Sequence, residues 1–186
     1  MNKGKIYIIS GPSGAGKDTI IDMILKNKKL NVAKAKSYTT REPRNESDKD
    51  RYIFIDEETF KKFEKSGEII ESNFYNDNWY GSSKSEIDKS INRGINIVND
   101  IDVNGGVFYK KFYPEATLIF IKTSLEDIKS RLHARGENTP GEIEARIETA
   151  KKEMKFENYY DFSVINPNGH PEIAVDGVTN IISNGY

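Results

Sequence analysis

The residues of this chain best suited to chemistry lie in one glycine-rich segment, GPSGAGKDT, at residues 11–19. Gly11, Gly16 and Lys17 match the pattern G-x-x-x-x-G-K, in which backbone N–H groups surround phosphate oxygens and the lysine reaches the β- and γ-phosphates. The segment therefore predicts a nucleotide phosphate site with Lys17 as a catalytic cation. The residues assigned to this site are Gly11, Pro12, Ser13, Gly14, Ala15, Gly16, Lys17, Asp18 and Thr19.

The segments on either side of this loop support a phosphate site. Residues 5–10 form an apolar run typical of a strand buried on both faces of a parallel sheet. Residues 18–28 place four apolar side chains on one helical face, and a helix N-terminus adds positive partial charge at the loop. The order strand, loop and helix favours phosphate binding over an ordinary glycine-rich turn.

The residue after Lys17 departs from the usual pattern. The pattern expects serine or threonine, whose hydroxyl binds Mg²⁺, but the chain has Asp18 there and Thr19 one position later. A carboxylate is also a magnesium ligand, although it repels phosphate oxygens of like charge. The sequence leaves open whether Asp18, Thr19 or ordered water completes the magnesium shell.

A second group of charged residues lies in a polar segment at residues 37–54. Arg41 and Arg44 are three residues apart and have several hydroxyl residues beside them. Planar guanidinium groups bind phosphate through paired hydrogen bonds. Taken alone, the segment is equally consistent with a phosphate site and with a solvated charged loop.

Two carboxylates, Asp100 and Asp102, follow an apolar strand at residues 95–100. Ligands bind at the carboxyl ends of strands in open α/β sheets, so we expect Asp100 to support Mg²⁺, through water. Asp102 is also suited to cap the helix that follows.

A third basic group lies on two helices joined by the turn GENTPG, which has glycine at both ends, as a mobile flap often does. Closure of such a flap would bring Arg135 and Arg146 to the transferring phosphoryl group. The alternative is surface ion pairing, for example between Glu142 and Arg146 at four residues apart.

The elements that must position these groups alternate between strands and helices. This alternation predicts an α/β fold of three layers, a parallel sheet with helices on both faces. Residues 37–82, which contain a helix and an aromatic hairpin, indicate a small inserted α+β region. We expect a single domain over residues 1–186, with a core of 1–36, 83–123 and 160–186, the insertion at 37–82 and a helical lid at about 124–159.

Composition excludes several functional classes. The 186 residues carry a net charge of -1, so no overall field favours nucleic acid or acidic membranes. The chain has no cysteine and two histidines, which excludes disulfides, thiolate metal sites and a histidine metal cage. No apolar run approaches the roughly 20 residues of a membrane helix, and the N-terminal run is too short for a signal peptide. We expect a cytoplasmic protein without nucleic-acid or membrane partners; its oligomeric state stays open.

Five segments together resemble the guanylate kinase family: GPSGAGKDT, SYTTREPR…RYIF, IIESNFYNDNWYGSS, VNDIDVNGG and SLEDIKSRLHARG. They occur in the family's order and spacing over about residues 6–166. The resemblance implies a P-loop fold with a GMP-binding insertion and a helical lid. It also implies transfer of the γ-phosphoryl group of ATP to GMP with Mg²⁺, so that ATP and GMP would be the small-molecule partners.

The resemblance also implies roles for individual residues. Arg44, Arg135 and Arg146 would join Lys17 in catalysis, while Arg131 and Asn166 would lie near ATP, the asparagine beside adenine. Guanine presents N1–H and N2–H₂ as paired donors to a carboxylate and O6 as an acceptor, whereas adenine presents the opposite pattern. The residues assigned by resemblance to the GMP site are Ser37, Arg41, Arg44, Tyr52, Glu71, Tyr80, Ser82 and Asp102.

The chain departs from the family in residues 45–51. Family members usually have a glycine soon after the second arginine and another before the tyrosine, but this segment has neither and is one residue shorter. We therefore expect Asn45 or Asp48 to adopt the left-handed conformation and turn the loop. This difference leaves open how far the Tyr52 side chain extends into the GMP site.

Three other functions share parts of the pattern. Another P-loop kinase of small metabolites is disfavoured by Glu71 and Ser82. A guanylate-kinase-like binding module without catalysis typically lacks a working phosphate loop and lid arginines, whereas this chain has Lys17, Arg135 and Arg146. A GTPase switch would need a guanine-reading N-K-x-D segment, which the sequence lacks.

Overall fold

The computed structural model describes residues 3–136 and 139–186, apart from the side chain of Arg135. Its strands are Ile6–Ser10 (β1), Val32–Ala33 (β2), Ser37–Thr39 (β3), Tyr52–Phe54 (β4), Ile69–Tyr75 (β5), Asn78–Ser83 (β6), Asn96–Asp100 (β7), Thr117–Lys122 (β8) and Phe162–Ile165 (β9). Its α-helices are Lys17–Lys26 (α1), Asp48–Arg51 (α2), Glu57–Ser66 (α3), Lys84–Asn92 (α4), Val103–Tyr109 (α5), Leu125–Arg135 (α6), Pro140–Glu153 (α7) and Pro171–Asn184 (α8).

A five-stranded parallel sheet forms the centre of the protein, with the strand order β2-β7-β1-β8-β9. All residues of β1 are buried, because it lies in the middle of the sheet with helices on both sides. Tyr7 and Ile9 pack with residues of α1 and α8, while Ile6 and Ile8 pack with residues of α4 and α5. The α/β fold predicted from the alternation of strands and helices is confirmed.

A second sheet has the order β4-β3-β6-β5, with β3 and β4 parallel and the other pairs antiparallel. The predicted aromatic hairpin is formed by β5 and β6. Asn76 and Asp77 connect its strands with φ values of 49° and 61°. Asparagine and aspartate tolerate this left-handed region, which the tight turns of β-hairpins require.

Several helix ends follow the sequence signals. The Asp56 side chain caps α3 by accepting from the Thr59 N–H, and the Ser124 side chain caps α6 in the same way. The helix that follows Asp102 runs from Val103 to Tyr109. Helices α7 and α8, at 14 residues each, are well short of a membrane span. Accordingly, no helix among the described residues is long and apolar enough to cross a bilayer.

The structural cause of the turn in the loop at residues 45–51 differs from the one expected. Neither Asn45 nor Asp48 has a positive φ, so the expectation of a left-handed residue there is wrong. Instead the single helical turn α2 forms, and the Asp48 carboxylate holds it. Its Oδ2 accepts hydrogen bonds from Nη1 of Arg41 at 3.0 Å and from the backbone N–H of Arg44 at 2.8 Å. A carboxylate that accepts two donors thus replaces the two glycines.

Candidate active site

The glycine-rich loop lies between β1 and α1 and has the backbone shape of a phosphate loop. Gly14 and Gly16 have φ values of 83° and 86°, which favour glycine at both positions. The Lys17 ammonium lies across the loop, with Nζ 2.7 Å from the carbonyl oxygen of Gly11. The loop is anchored to the end of α7, because the Ser13 N–H donates to Oε2 of Glu153 at 2.8 Å.

Burial and nearby carboxylates have opposite effects on the charge of Lys17. Burial lowers the pKa of Lys17, while the negative charges of four carboxylates, Glu153 first, oppose this effect; the other three are Asp18, Asp100 and Asp102. Carboxylates from α1, α7 and the end of β7 are therefore near enough to this ammonium to affect its charge. Such an arrangement suits a site that handles phosphate together with a divalent cation.

A cavity of about 340 Å³ lies beside the loop, and Gly14, Gly16, Thr19, Arg131 and Asn166 are among its lining residues. Arg131 donates from Nη1 to the carbonyl of Ala15 and from Nη2 to that of Asn166, each at 2.9 Å. Asn166 also donates to the Ala15 carbonyl, at 2.6 Å. The structure thus brings both residues assigned to ATP against the phosphate loop.

A second cavity, of about 260 Å³, opens between the two sheets. It is lined by seven of the residues assigned from the sequence: Ser37, Tyr52, Glu71, Tyr80, Ser82, Asp100 and Asp102. The strand register explains their convergence. Ser37 lies opposite Tyr52 on one neighbouring strand and opposite Ser82 on the other, so the three side chains share one face.

Glu71 reaches the same face because of an irregularity in β5. Ile69 pairs with Ser83 and Ser72 pairs with Gly81, so β5 carries one extra residue between these pairs. The extra residue lets Ile70 enter the core while Glu71 turns to the cavity, where the Ser82 hydroxyl donates to its Oε1. Burial raises the pKa of Glu71 to about 7; hydrogen bonds from Ser82 oppose the rise, and the charges of Asp102 and Asp100 add to it.

Arg41 lies against Tyr52, which lines this cavity. Its guanidinium carbon is 5.3 Å from the centre of the Tyr52 ring, and its Nη1 is held by Asp48 at 3.0 Å. Asp48 raises the pKa of Arg41, and the Tyr80 hydroxyl has a smaller effect in the same direction. Arg44 is exposed, with its backbone bound to Asp48. The two arginines are therefore linked through one carboxylate.

The two aspartates after β7 differ in their partners. Asp102 caps α5, because its Oδ1 accepts from the N–H groups of Asn104 and Gly105 at 2.9 and 3.0 Å. Asp100 forms an ion pair with Lys34 and stays 27% exposed. No group of three or more acidic, histidine or cysteine side chains forms a metal cluster in the described part of the chain. A single carboxylate beside a phosphate loop nevertheless suits Mg²⁺, which keeps several waters and takes other ligands from substrate phosphates.

The predicted lid contains α6 and α7. Arg146 is exposed on α7. Glu142 caps that helix with Thr139, each side chain bonding to the other's backbone N–H, and the proposed surface ion pair between Glu142 and Arg146 is not among the ion pairs of the described residues. The prediction for Arg135 concerns a side chain that lies outside what the structure describes.

Sequence reasoning missed several residues of the site. Arg51 and Asp50 line the cavity between the sheets because α2 turns them toward it, and Lys34 and Asn99 also line it. Asn99 offered one signal, since a polar residue stands in an otherwise apolar strand. The positions of Asp50 and Arg51 had no signal, because they depend on a helical turn in a segment expected to be a loop.

Comparisons with known proteins all match this chain to the same family, over nearly its whole length. A family model described as guanylate kinase matches residues 3–184. A guanylate kinase of Fusobacterium nucleatum is 37% identical over 187 residues, covering 100% of this chain and 99% of that protein. One of Thermotoga maritima is 38% identical over 182 residues, covering 97% of this chain and 86% of that protein. The crystal structure of guanylate kinase from Anaplasma phagocytophilum matches with a TM-score of 0.72 and 26% identity, over 99% of this chain and 87% of that one.

Proposed function

The chain belongs to the guanylate kinase family, and we infer that it transfers the γ-phosphoryl group of ATP to GMP, giving ADP and GDP. The observation that carries this inference is the family match over residues 3–184, which includes both the phosphate loop and the cavity between the sheets. Nothing in the comparisons favours another metabolite kinase, a binding module without catalysis or a GTPase switch.

We propose that Glu71 and Ser82 read the guanine base at the cavity. An ionised Glu71 accepts hydrogen bonds from N1–H and N2–H₂, while a serine hydroxyl donates to O6. Ser37, opposite Ser82 in the sheet, is placed to assist. Adenine would leave these buried groups unpaired, and unpaired buried groups are costly.

We expect Glu71→Gln to lower kcat/KM for GMP by about 10²-fold and to narrow the preference for GMP over AMP by a similar factor. The reason is that the glutamine amide presents a donor to one of guanine's donors. The measurement is a coupled ADP-release assay over GMP, AMP, CMP and UMP, with the exposed Glu58→Gln as a matched control. Wild-type protein without ADP release on GMP would contradict the function, and unchanged selectivity in Glu71→Gln would contradict base reading by this side chain.

GMP binding is expected to depend on pH through Glu71. The pKa of this carboxyl is raised to about 7, so below that pH it is mostly protonated and loses an acceptor for guanine. Since guanine favours the ionised form, KM for GMP should rise as pH falls below 7, by up to about tenfold per unit for a single proton. The acceptor phosphate titrates near pH 6, so the profile is best compared between pH 6.5 and 8 with that of Glu71→Gln. Superimposable profiles would contradict the role of Glu71 in the pH dependence.

We propose that Arg41, Arg44, Tyr52 and Tyr80 hold the acceptor phosphate. This phosphate is largely ionised at neutral pH, its second pKa being about 6, so its oxygen attacks in line without a general base. Catalysis then consists of positioning and charge neutralisation. Lys17 neutralises the donor phosphates, and backbone N–H groups of the glycine-rich loop bind them.

Closure of a helical lid over residues 124–159 is proposed to complete the site. Arg146, exposed on α7, would then meet the transferring phosphoryl group together with Arg135. Arg131 and Asn166 would hold the phosphate loop and the adenine side of ATP. The anchoring of Ser13 by Glu153, at the end of α7, links lid and loop.

Mg²⁺ is proposed as the cation that accompanies ATP, supplying charge neutralisation at the phosphates. Asp100 would support it through water. Of the two candidates after Lys17, Thr19 lines the cavity on the Asn166 side, which leaves Asp18 as the better-placed oxygen. Asp102, by contrast, would lie toward GMP at the cavity between the sheets.

A cytoplasmic location and the division into core, insertion and lid are also proposed, from the composition and the element order.

A further inference from the structure

Tyr109, in α5, carries a buried hydroxyl that the reaction described above does not use. The residue is 0% exposed, and its oxygen has no hydrogen-bond partner of standard geometry among the described residues. A buried hydroxyl without a partner destabilises the folded protein, because it has lost its hydrogen bonds to water. Such a group in a native structure needs an explanation, and the surroundings of this one suggest a ligand-dependent role.

The polar groups around this hydroxyl belong to the proposed guanine site. Burial raises the pKa of Tyr109 well above its usual range; the charge of Glu71 adds to the rise, and the side chains of Ser82 and Asn99 oppose it. All three of these neighbours line the cavity between the sheets, whereas Tyr109 is fully buried and is not one of its lining residues. Any effect of Tyr109 on a base in the cavity must therefore pass through these side chains.

The hydrogen-bonding capacity of Asn99 and Ser82 determines how the Tyr109 hydroxyl can donate and accept. Oδ1 of Asn99 accepts from the Ala35 N–H at 3.1 Å, so the Asn99 amide nitrogen, a donor, is the end left for the Tyr109 oxygen. If the phenolic oxygen accepts, its proton is available for Oγ of Ser82. A serine oxygen that accepts this hydrogen bond must point its own O–H elsewhere, and in the structure that O–H donates to Glu71.

We propose that Tyr109 is a positioning residue for guanine recognition. Its hydroxyl donates to Oγ of Ser82 when guanine is bound, and this makes the Ser82 hydroxyl a donor to O6. The inference rests on the proposed function and deepens it. A serine hydroxyl alone can donate or accept, so it discriminates weakly between a 6-oxo and a 6-amino purine. A serine whose oxygen already accepts from Tyr109 directs its own O–H at the base, which favours a 6-oxo purine over a 6-amino purine.

Tyr113, four residues beyond the end of α5, offers a matched control. Its ring stacks on that of Tyr109 with centroids 5.7 Å apart, but its hydroxyl donates to Asp88 at 2.8 Å. Loss of either hydroxyl removes one oxygen from a pair of stacked rings, of which that of Tyr109 is fully buried and that of Tyr113 half-buried. Ser82 and Asn99 affect the Tyr109 hydroxyl, whereas the Tyr113 hydroxyl is bound to Asp88, so only loss of the Tyr109 hydroxyl should alter base selection.

The test compares Tyr109→Phe with wild type on GMP and on 6-thio-GMP, in which a weaker sulfur acceptor replaces O6. We expect the GMP to 6-thio-GMP ratio of kcat/KM to fall about three- to tenfold, mainly through KM for GMP. The melting temperature should be unchanged or higher, because an unpaired hydroxyl is removed. Tyr113→Phe should leave the ratio unchanged, and Tyr109→Phe should add little in a Ser82→Ala background.

Equal ratios in Tyr109→Phe and wild type would overturn the inference, as would a full additional loss in the Ser82→Ala background. If Tyr109→Phe does not fold, Tyr109→Met supplies the same comparison. Wild-type protein that does not phosphorylate GMP would instead contradict the proposed function. The two failures are therefore distinguishable.

Discussion

Lys17→Met is expected to lower kcat by on the order of 10²–10³-fold while the protein remains folded. Methionine has a similar length but no charge, so the donor phosphates lose their nearest protein cation. The ammonium contacts the carbonyls of Gly11 and Pro12 at 2.7 and 3.2 Å. Burial already disfavours its charged form, as its lowered pKa indicates, so its loss should cost little stability.

Steady-state ADP release and thermal unfolding measured on the same preparations check this prediction. Lys26→Met is the matched control, because Lys26 is an exposed residue in the last turn of the same helix. KM for GMP should change little, since Lys17 is assigned to the ATP phosphates. A kcat within about threefold of wild type would remove Lys17 from the catalytic residues.

The second large effect is expected at the acceptor phosphate, where Arg41→Met should lower kcat/KM for GMP by on the order of 10²–10⁴-fold. Two charge-assisted hydrogen bonds, each worth about 1.5–3 kcal/mol, are lost. The variant also leaves Asp48 without its partner at 3.0 Å, so a carboxylate then faces the incoming phosphate. KM for ATP should be nearly unchanged.

The pairing of Arg41 with Asp48 allows a sharper version of this experiment. In the Arg41→Met background, Asp48→Asn removes the unpaired charge and should recover part of the lost kcat/KM. Arg93→Met, at an exposed position after α4, serves as the control for loss of a positive charge. If Arg41→Met resembled that control, the acceptor phosphate would not bind at this arginine.

Local patterns in the sequence were sufficient to predict the phosphate loop and the general architecture. The strand, the glycines with positive φ and the helix after Lys17 are neighbours in the chain, so their relation follows from backbone chemistry alone. Helix caps at Asp56 and Ser124 are equally local. The alternation of strands and helices required a parallel sheet covered on both faces, because buried strands need helices to join them.

The cavity between the sheets depended on relations that no local pattern encodes. Glu71 faces Ser82 because β5 has one extra residue, and a shift of one residue turns a side chain to the other face of a sheet. The link between Asp48 and Arg41 replaced a turn expected from left-handed residues. The buried group of Asn99, Tyr109 and Ser82 joins two strands and a helix that are distant in sequence. Sequence alone thus determined which residue types were available for the reaction, and tertiary structure decided which of them meet, because register and long-range packing set distances between side chains.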